Sequence, residues 1–194
     1  MSKLLIALLA SSGFALAGTA SAADKGMTRD QYKADKDRIE AQYKAEKDHC
    51  SSLKANAKDV CEAEAKGKEK VAKAELEAEY KHTDKARYDA RVAQADANYD
   101  VAKEKCDDMS GNQKDVCVKE AKAAHTKAKA DAKVARADTN ASKNAQEKRA
   151  EARQDAREDT RDAQYKVAVE KCDSLSGAAK DNCVRDAKVH YGKT

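Results

Sequence analysis

Tyr88, Val92, Ala95, Tyr99, Ala102, Cys106 and Met109 follow one another in steps of four and three residues. That spacing puts all seven on one face of an α-helix, as a coiled-coil seam requires. The register recurs at Tyr32, Ile39, Tyr43, Cys50 and Leu53, with Lys36 and Glu46 as polar interruptions. Its end returns at Tyr165, Ala168, Cys172 and Leu175. Each seam runs into the same motif, Tyr-x6-Cys-x10-Cys: Tyr43 to Cys61, Tyr99 to Cys117 and Tyr165 to Cys183. Gly111 and Gly177 stand at the middle of the ten-residue spacer, where a helix end calls for a left-handed residue. The first copy has Ala55-Asn56 there, and asparagine is suited to that role. An acid two residues before each second cysteine (Asp59, Asp115, Asp181) suits the positively polarised first turn of a new helix. Each motif therefore predicts an antiparallel helical hairpin.

Helices are expected near 28–54, 57–82, 84–109, 112–137, 141–175 and 178–191, with Thr83-Asp84 and Asp138-Thr139-Asn140 as N-cap candidates. The fold class is all-α: three disulfide-stapled, coiled-coil-like antiparallel hairpins, elongated or partly bundled, with a long charged helical linker. Five segments follow: a signal peptide at 1–22, hairpin 1 at 23–82, hairpin 2 at 83–137, a charged helical linker at 138–164 and hairpin 3 at 165–194. The equal spacing of the first two hairpins permits a four-helix bundle. If the cysteines of a motif face each other, Tyr32 meets Tyr80, and Tyr43 meets Gly67 and Lys68. Tyr99 then meets Ala123 and Ala124, and Tyr165 meets His190 and Tyr191. A ring opposite a small residue allows close helix packing, and Gly67 is expected to make room for Tyr43.

The first residues read as a secretory signal: Lys3, an apolar stretch from Leu4 to Ala17, and the small-x-small site Ala20-Ser21-Ala22. The apolar stretch is too short and too interrupted for a transmembrane anchor, so the expected location is the periplasm. Six cysteines in an exported chain read as a disulfide framework. The repeat favours the local pairs Cys50–Cys61, Cys106–Cys117 and Cys172–Cys183 over the other pairings. Zinc is disfavoured, because C-x-x-C is absent and each motif offers two thiols.

Composition sharpens the helical reading. Proline is absent, tryptophan is absent, and the single phenylalanine lies in the expected signal peptide. Alanine and lysine are the two commonest residues, and they, with glutamate and arginine, lose little side-chain freedom on a helix. The core must therefore be thin. A ten-residue disulfide loop contributes about 3 kcal/mol in the chain-entropy model, comparable to burying one or two large apolar side chains. With 39 basic and 35 acidic residues, the surface is densely charged but balanced. Interleaved signs argue against nucleic-acid binding.

Between Val134 and Tyr165 there is no large apolar residue. Acids at Glu147, Glu151, Asp155 and Asp159 and arginines at Arg149, Arg153, Arg157 and Arg161 each step by four, forming neighbouring ridges. One reading is a solvated helical linker. The other is a docking ridge in which the arginines meet a carboxylate- or phosphate-rich partner, where guanidinium pairs better than ammonium.

Catalytic chemistry finds no support. His49, His82, His125 and His190 are scattered singly and read as surface histidines, with no metal, cofactor or catalytic site indicated. No pocket of useful size is expected between alanine-rich helices.

The signal peptide followed by blocks such as KAKADAK and AKGKEKVAKAELEAEY resembles exported proteobacterial Ala/Lys-rich helical proteins labelled TolA-like or cell-envelope biogenesis. The resemblance covers roughly residues 25–165, is compositional, and assigns no functional residue. What it implies is a helical envelope protein. The functional expectation is a non-enzymatic periplasmic structural or interaction protein, whose partner is an envelope protein or polymer and which self-associates through its helices. The alternative is a periplasmic stress or chaperone-like binder of unfolded or envelope proteins.

Overall fold

The computed structural model describes residues 26–139 and 144–193. The expected signal peptide lies outside the described residues, as does Asn140. Six helices run in order among the described residues: α1 (Arg29–Cys50), α2 (Ala55–Lys81), α3 (Asp84–Cys106), α4 (Gly111–Asp138), α5 (Ala145–Cys172) and α6 (Gly177–Tyr191). Their starts follow local chemistry. Thr28 and Gln31 form a reciprocal capping box on α1, with Gln31 N donating to Thr28 Oγ1 at 3.2 Å and Thr28 N to Gln31 Oε1 at 2.8 Å. Thr83 Oγ1 accepts from Ala86 N at 3.1 Å, the cap expected for α3. His82, in a left-handed conformation, ends α2.

All three disulfides join the expected cysteines, with Cα separations of 5.6, 5.7 and 5.7 Å, inside the normal range for an unforced bridge. Cys50, Cys106 and Cys172 are each the last residue of their helix, so the staple sits at the very top of the outgoing arm. The left-handed residue of each turn opens the return helix instead of closing the outgoing one: Ala55, Gly111 and Gly177 have φ of 49°, 55° and 54°. In the first copy that conformation falls on Ala55, not on Asn56, which the sequence favoured.

Among the described residues, each helix packs only against its neighbours in sequence. Odd helices point one way and even helices the other, so the chain forms a single layer of antiparallel helices with the three clasps along one edge. The four-helix bundle that the spacing permits does not form, since α1 touches neither α3 nor α4. The reason is the thin core: among the described residues, the buried apolar ones are eight alanines, three cysteines and Leu76. Alanines allow two helices to approach, but they give little apolar area with which to hold a second layer. Such an array gains its stability from nearest-neighbour seams, as repeat proteins do.

The charged segment at 138–164 is helical from Ala145 and continues unbroken to Cys172. It therefore also serves as the first arm of the third hairpin, and it lies along α4.

Candidate interaction surfaces

Each clasped hairpin carries an aromatic contact across its seam. The rings of Tyr32 and Tyr80 lie 4.7 Å apart, those of Tyr99 and His125 4.9 Å, and those of Tyr165 and Tyr191 6.2 Å. Counted from the cysteines, His125 and Tyr191 hold equivalent positions, as do Tyr32 and Tyr88. Tyr88 in turn receives the Arg136 guanidinium 5.2 Å from its ring centroid.

Two expectations about this packing change. Tyr99 meets His125, while Ala124 is exposed, because the true register is shifted by one residue toward the loop-distal end. Gly67 does not make room for Tyr43. It is buried against α3, where an added Cβ would stand 3.0 Å from Ala97 Cβ and 3.5 Å from Ala97 Cα. Tyr43 lies instead in a polar groove with Lys47, Asp59, Glu62, Asp100 and Glu104.

His125 is not a bare surface histidine either. Its Nε2 lies 2.5 Å from Asp96 Oδ1, and its side chain is 20 % exposed. The sequence signal was present: the residue is opposite a motif tyrosine. His49, His82 and His190 are exposed. Among the described residues no group of three or more metal-ligating side chains gathers, and no helix is long and apolar enough to cross a membrane.

The arginine ridge divides. Arg149 Nη2 donates to Asp138 O at 2.9 Å and Nε to Ala137 O at 3.4 Å, so it caps the end of α4. Arg153 Nη2 donates to Asp138 Oδ1 at 3.0 Å. These two residues dock α5 onto its own neighbour. Arg157 and Arg161 are exposed and are left as the part of the ridge that faces solvent.

The seams between hairpins repeat their polar contacts. Asn56 Nδ2 donates to Glu104 O at 2.9 Å, and Asn112 Nδ2 to Glu170 O at 3.0 Å. Lys105 pairs with Glu64 at 3.2 Å and Lys171 with Glu120 at 2.6 Å. Both sets hold the same positions relative to the cysteines.

Contrary to expectation, sizeable hollows exist, as open grooves. One of about 560 Å³ runs between α2 and α3, past Gly67, Val71, Ala72, Ala97, Val101 and Ala102. A second, of about 570 Å³, runs between α1 and α2, past Ala45, Leu53, Ala57, Val60 and Ala65. Glu64 and Lys68 line both grooves, so both open on one face of the layer.

At the far end of the first hairpin, Tyr32 Oη donates to Glu77 Oε1, and Lys81 Nζ lies 2.6 Å from Glu77 Oε2. The Lys81 ammonium beside it, then the hydrogen bond from Tyr32, holds the Glu77 carboxyl below its ordinary range. The same carboxylate raises the Tyr32 phenol above its ordinary value, chiefly through their hydrogen bond.

No protein-family model, curated protein or solved structure matches this chain.

Proposed function

We propose that this chain is a non-enzymatic structural or interaction protein of the cell envelope, working in the periplasm after export. The observation that carries this reading is the single-layer array: among the described residues each helix packs only on its sequence neighbours, so both broad faces stay available for partners. Three disulfides among the described residues support an oxidising compartment, because thiols in the cytosol are kept reduced. Partners are envelope proteins or polymers, with Arg157 and Arg161 as the exposed cationic positions that suit a carboxylate- or phosphate-bearing surface.

Cell fractionation with a thiol-trapping reagent tests the location: the protein is expected in the periplasmic fraction with no free thiol. Small-angle scattering tests the shape, with a maximum dimension well beyond that of a sphere of equal mass. A cytoplasmic, reduced protein or a compact profile overturns the reading.

A chaperone-like role is the second reading, favoured by the alanine- and valine-lined groove between α2 and α3. Light scattering from an aggregating client separates the two. Suppression by equimolar oxidised protein supports the binder; its absence leaves the structural role.

A further inference from the structure

The cysteines set a common register for the three hairpins. In that register Gly67 of α2, Ala123 of α4 and Val189 of α6 hold one position, and Ala41 of α1, Ala97 of α3 and Ala163 of α5 hold another. Inside the molecule these positions meet. Gly67 packs against Ala97, and Ala123 and Ala163 line one groove between α4 and α5. At the two ends of the layer they are open. Val189 is 77 % exposed, and Ala41 is exposed. Among the described residues, α1 packs only on α2 and α6 only on α5.

The charges beside these positions match as well. Lys119 pairs with Glu170 at 3.3 Å across the seam of α4 and α5, and the corresponding residues at the free edges are Arg185 and Asp48. Where Glu64 pairs with Lys105 and Glu120 with Lys171, the free edges offer Asp186 and His49. The first pair keeps opposite signs. All four residues are exposed. A lone exposed valine needs no explanation. A valine at the seam position, beside charges complementary to those around the exposed alanine at the other end, does.

We propose that α6 of one molecule docks on α1 of a second copy, repeating between molecules the seam that α2 makes with α3 and α4 makes with α5. The two edges differ, so the contact is heterologous and propagates into an open chain, or into a ring where the rotation closes. Val189 is bulkier than Gly67 or Ala123, so it holds the two helices further apart than in the α2–α3 seam. Two further features make the contact weaker than the internal seams. Helix α6 has 15 residues against 27 and 28 in α2 and α4. Ala178 also stands where Asn56 and Asn112 bond to the next helix. Assembly is therefore reversible and concentration-dependent. The inference goes beyond the envelope reading and does not depend on it.

The test uses the oxidised full chain. Sedimentation velocity across a wide concentration range is expected to show mass rising from monomer to dimer and beyond. Arg185→Glu and Asp48→Lys are each expected to weaken association about tenfold, the size of one lost charge pair of about 1.4 kcal/mol, and their combination to restore it. Ala41→Cys and Val189→Cys variants, checked for native helicity and intact native disulfides, are then mixed under mild oxidation. A covalent dimer is expected in the mixture and not in either variant alone. A monomer mass at every concentration overturns the proposal. So does a Val189→Cys or Ala41→Cys variant that couples to itself as fast as the mixture does, since that result marks a symmetric contact.

Discussion

Asn56, second residue of the first hairpin's return arm, donates its side-chain amide to the backbone carbonyl of Glu104 in the second hairpin, at 2.9 Å. Asn112 repeats this bond to Glu170. The third copy of the motif has Ala178 at that position, and α6 is the last helix among the described residues. The amide thus works between hairpins, tying each clasp to the end of the next outgoing arm, where the Glu104 and Glu170 carbonyls also accept from the capping Asp107 and Asp173 amides.

Replacing Asn56 or Asn112 by alanine is expected to cost about 1 kcal/mol each, the usual net worth of one such hydrogen bond. Ala178→Asn is expected to leave the melt of the dilute monomer unchanged, since among the described residues α6 packs only on α5. Thermal melts followed by circular dichroism measure all three. Equal losses at Asn56 and Asn112 with an equal gain at Ala178 would place the effect in the turn and not in the seam.

Ala55 is the one residue of the three turn positions that is strained by its left-handed φ of 49°, since Gly111 and Gly177 adopt it freely. It is exposed, so no packing is lost on shortening it. Ala55→Gly is therefore expected to stabilise the first hairpin by about 1 kcal/mol, visible as a higher denaturant midpoint. An unchanged or lower midpoint counts against the strained turn.

Gly67 tests the seam of α2 and α3. Alanine there gains about 1 kcal/mol of helix propensity, but its Cβ would meet Ala97 Cβ at 3.0 Å. The α4–α5 seam accommodates two alanines at the same positions, so Gly67→Ala is expected to be near neutral. Gly67→Val overfills the seam and is expected to cost about 1–3 kcal/mol. In a double-mutant cycle, Ala97→Gly should be less damaging in the Gly67→Val background than in the native chain, a coupling that denaturant melts resolve.

Much of this was legible in the sequence, because the cysteine motif and the three-four seam are strong periodic signals. They locate the hairpins, the disulfides and the Tyr32–Tyr80 contact. What sequence could not give was the order of contact between hairpins. Gly67 reads equally well as space for Tyr43 on α1 or for Ala97 on α3, since on a 3.6-residue helix a small residue between two seams serves either neighbour. Asn56 and Arg149 escape a sequence reading for a related reason. Each looks like a local or solvent-facing residue, and each bonds a backbone carbonyl of the adjacent helix, a partner that side-chain periodicity does not mark.

The Tyr32 and Glu77 contact gives the first hairpin a pH window with two edges. The Glu77 carboxyl is lowered on folding, so its contribution is present above the unfolded carboxylate range and is lost as pH falls through the folded value. The Tyr32 phenol is raised, so its contribution is present below the unfolded phenol value and is lost as pH rises through the folded one. Tyr32→Phe is expected to remove the part of the alkaline edge that belongs to this contact. It should only shrink the acid edge, because Lys81, the larger influence on Glu77, remains. Denaturant midpoints of the native and Tyr32→Phe proteins, measured from acid to alkaline pH, read both edges. If the two proteins lose stability in parallel on the alkaline side, Tyr32 does not titrate as a partner of Glu77 and the contact contributes nothing there.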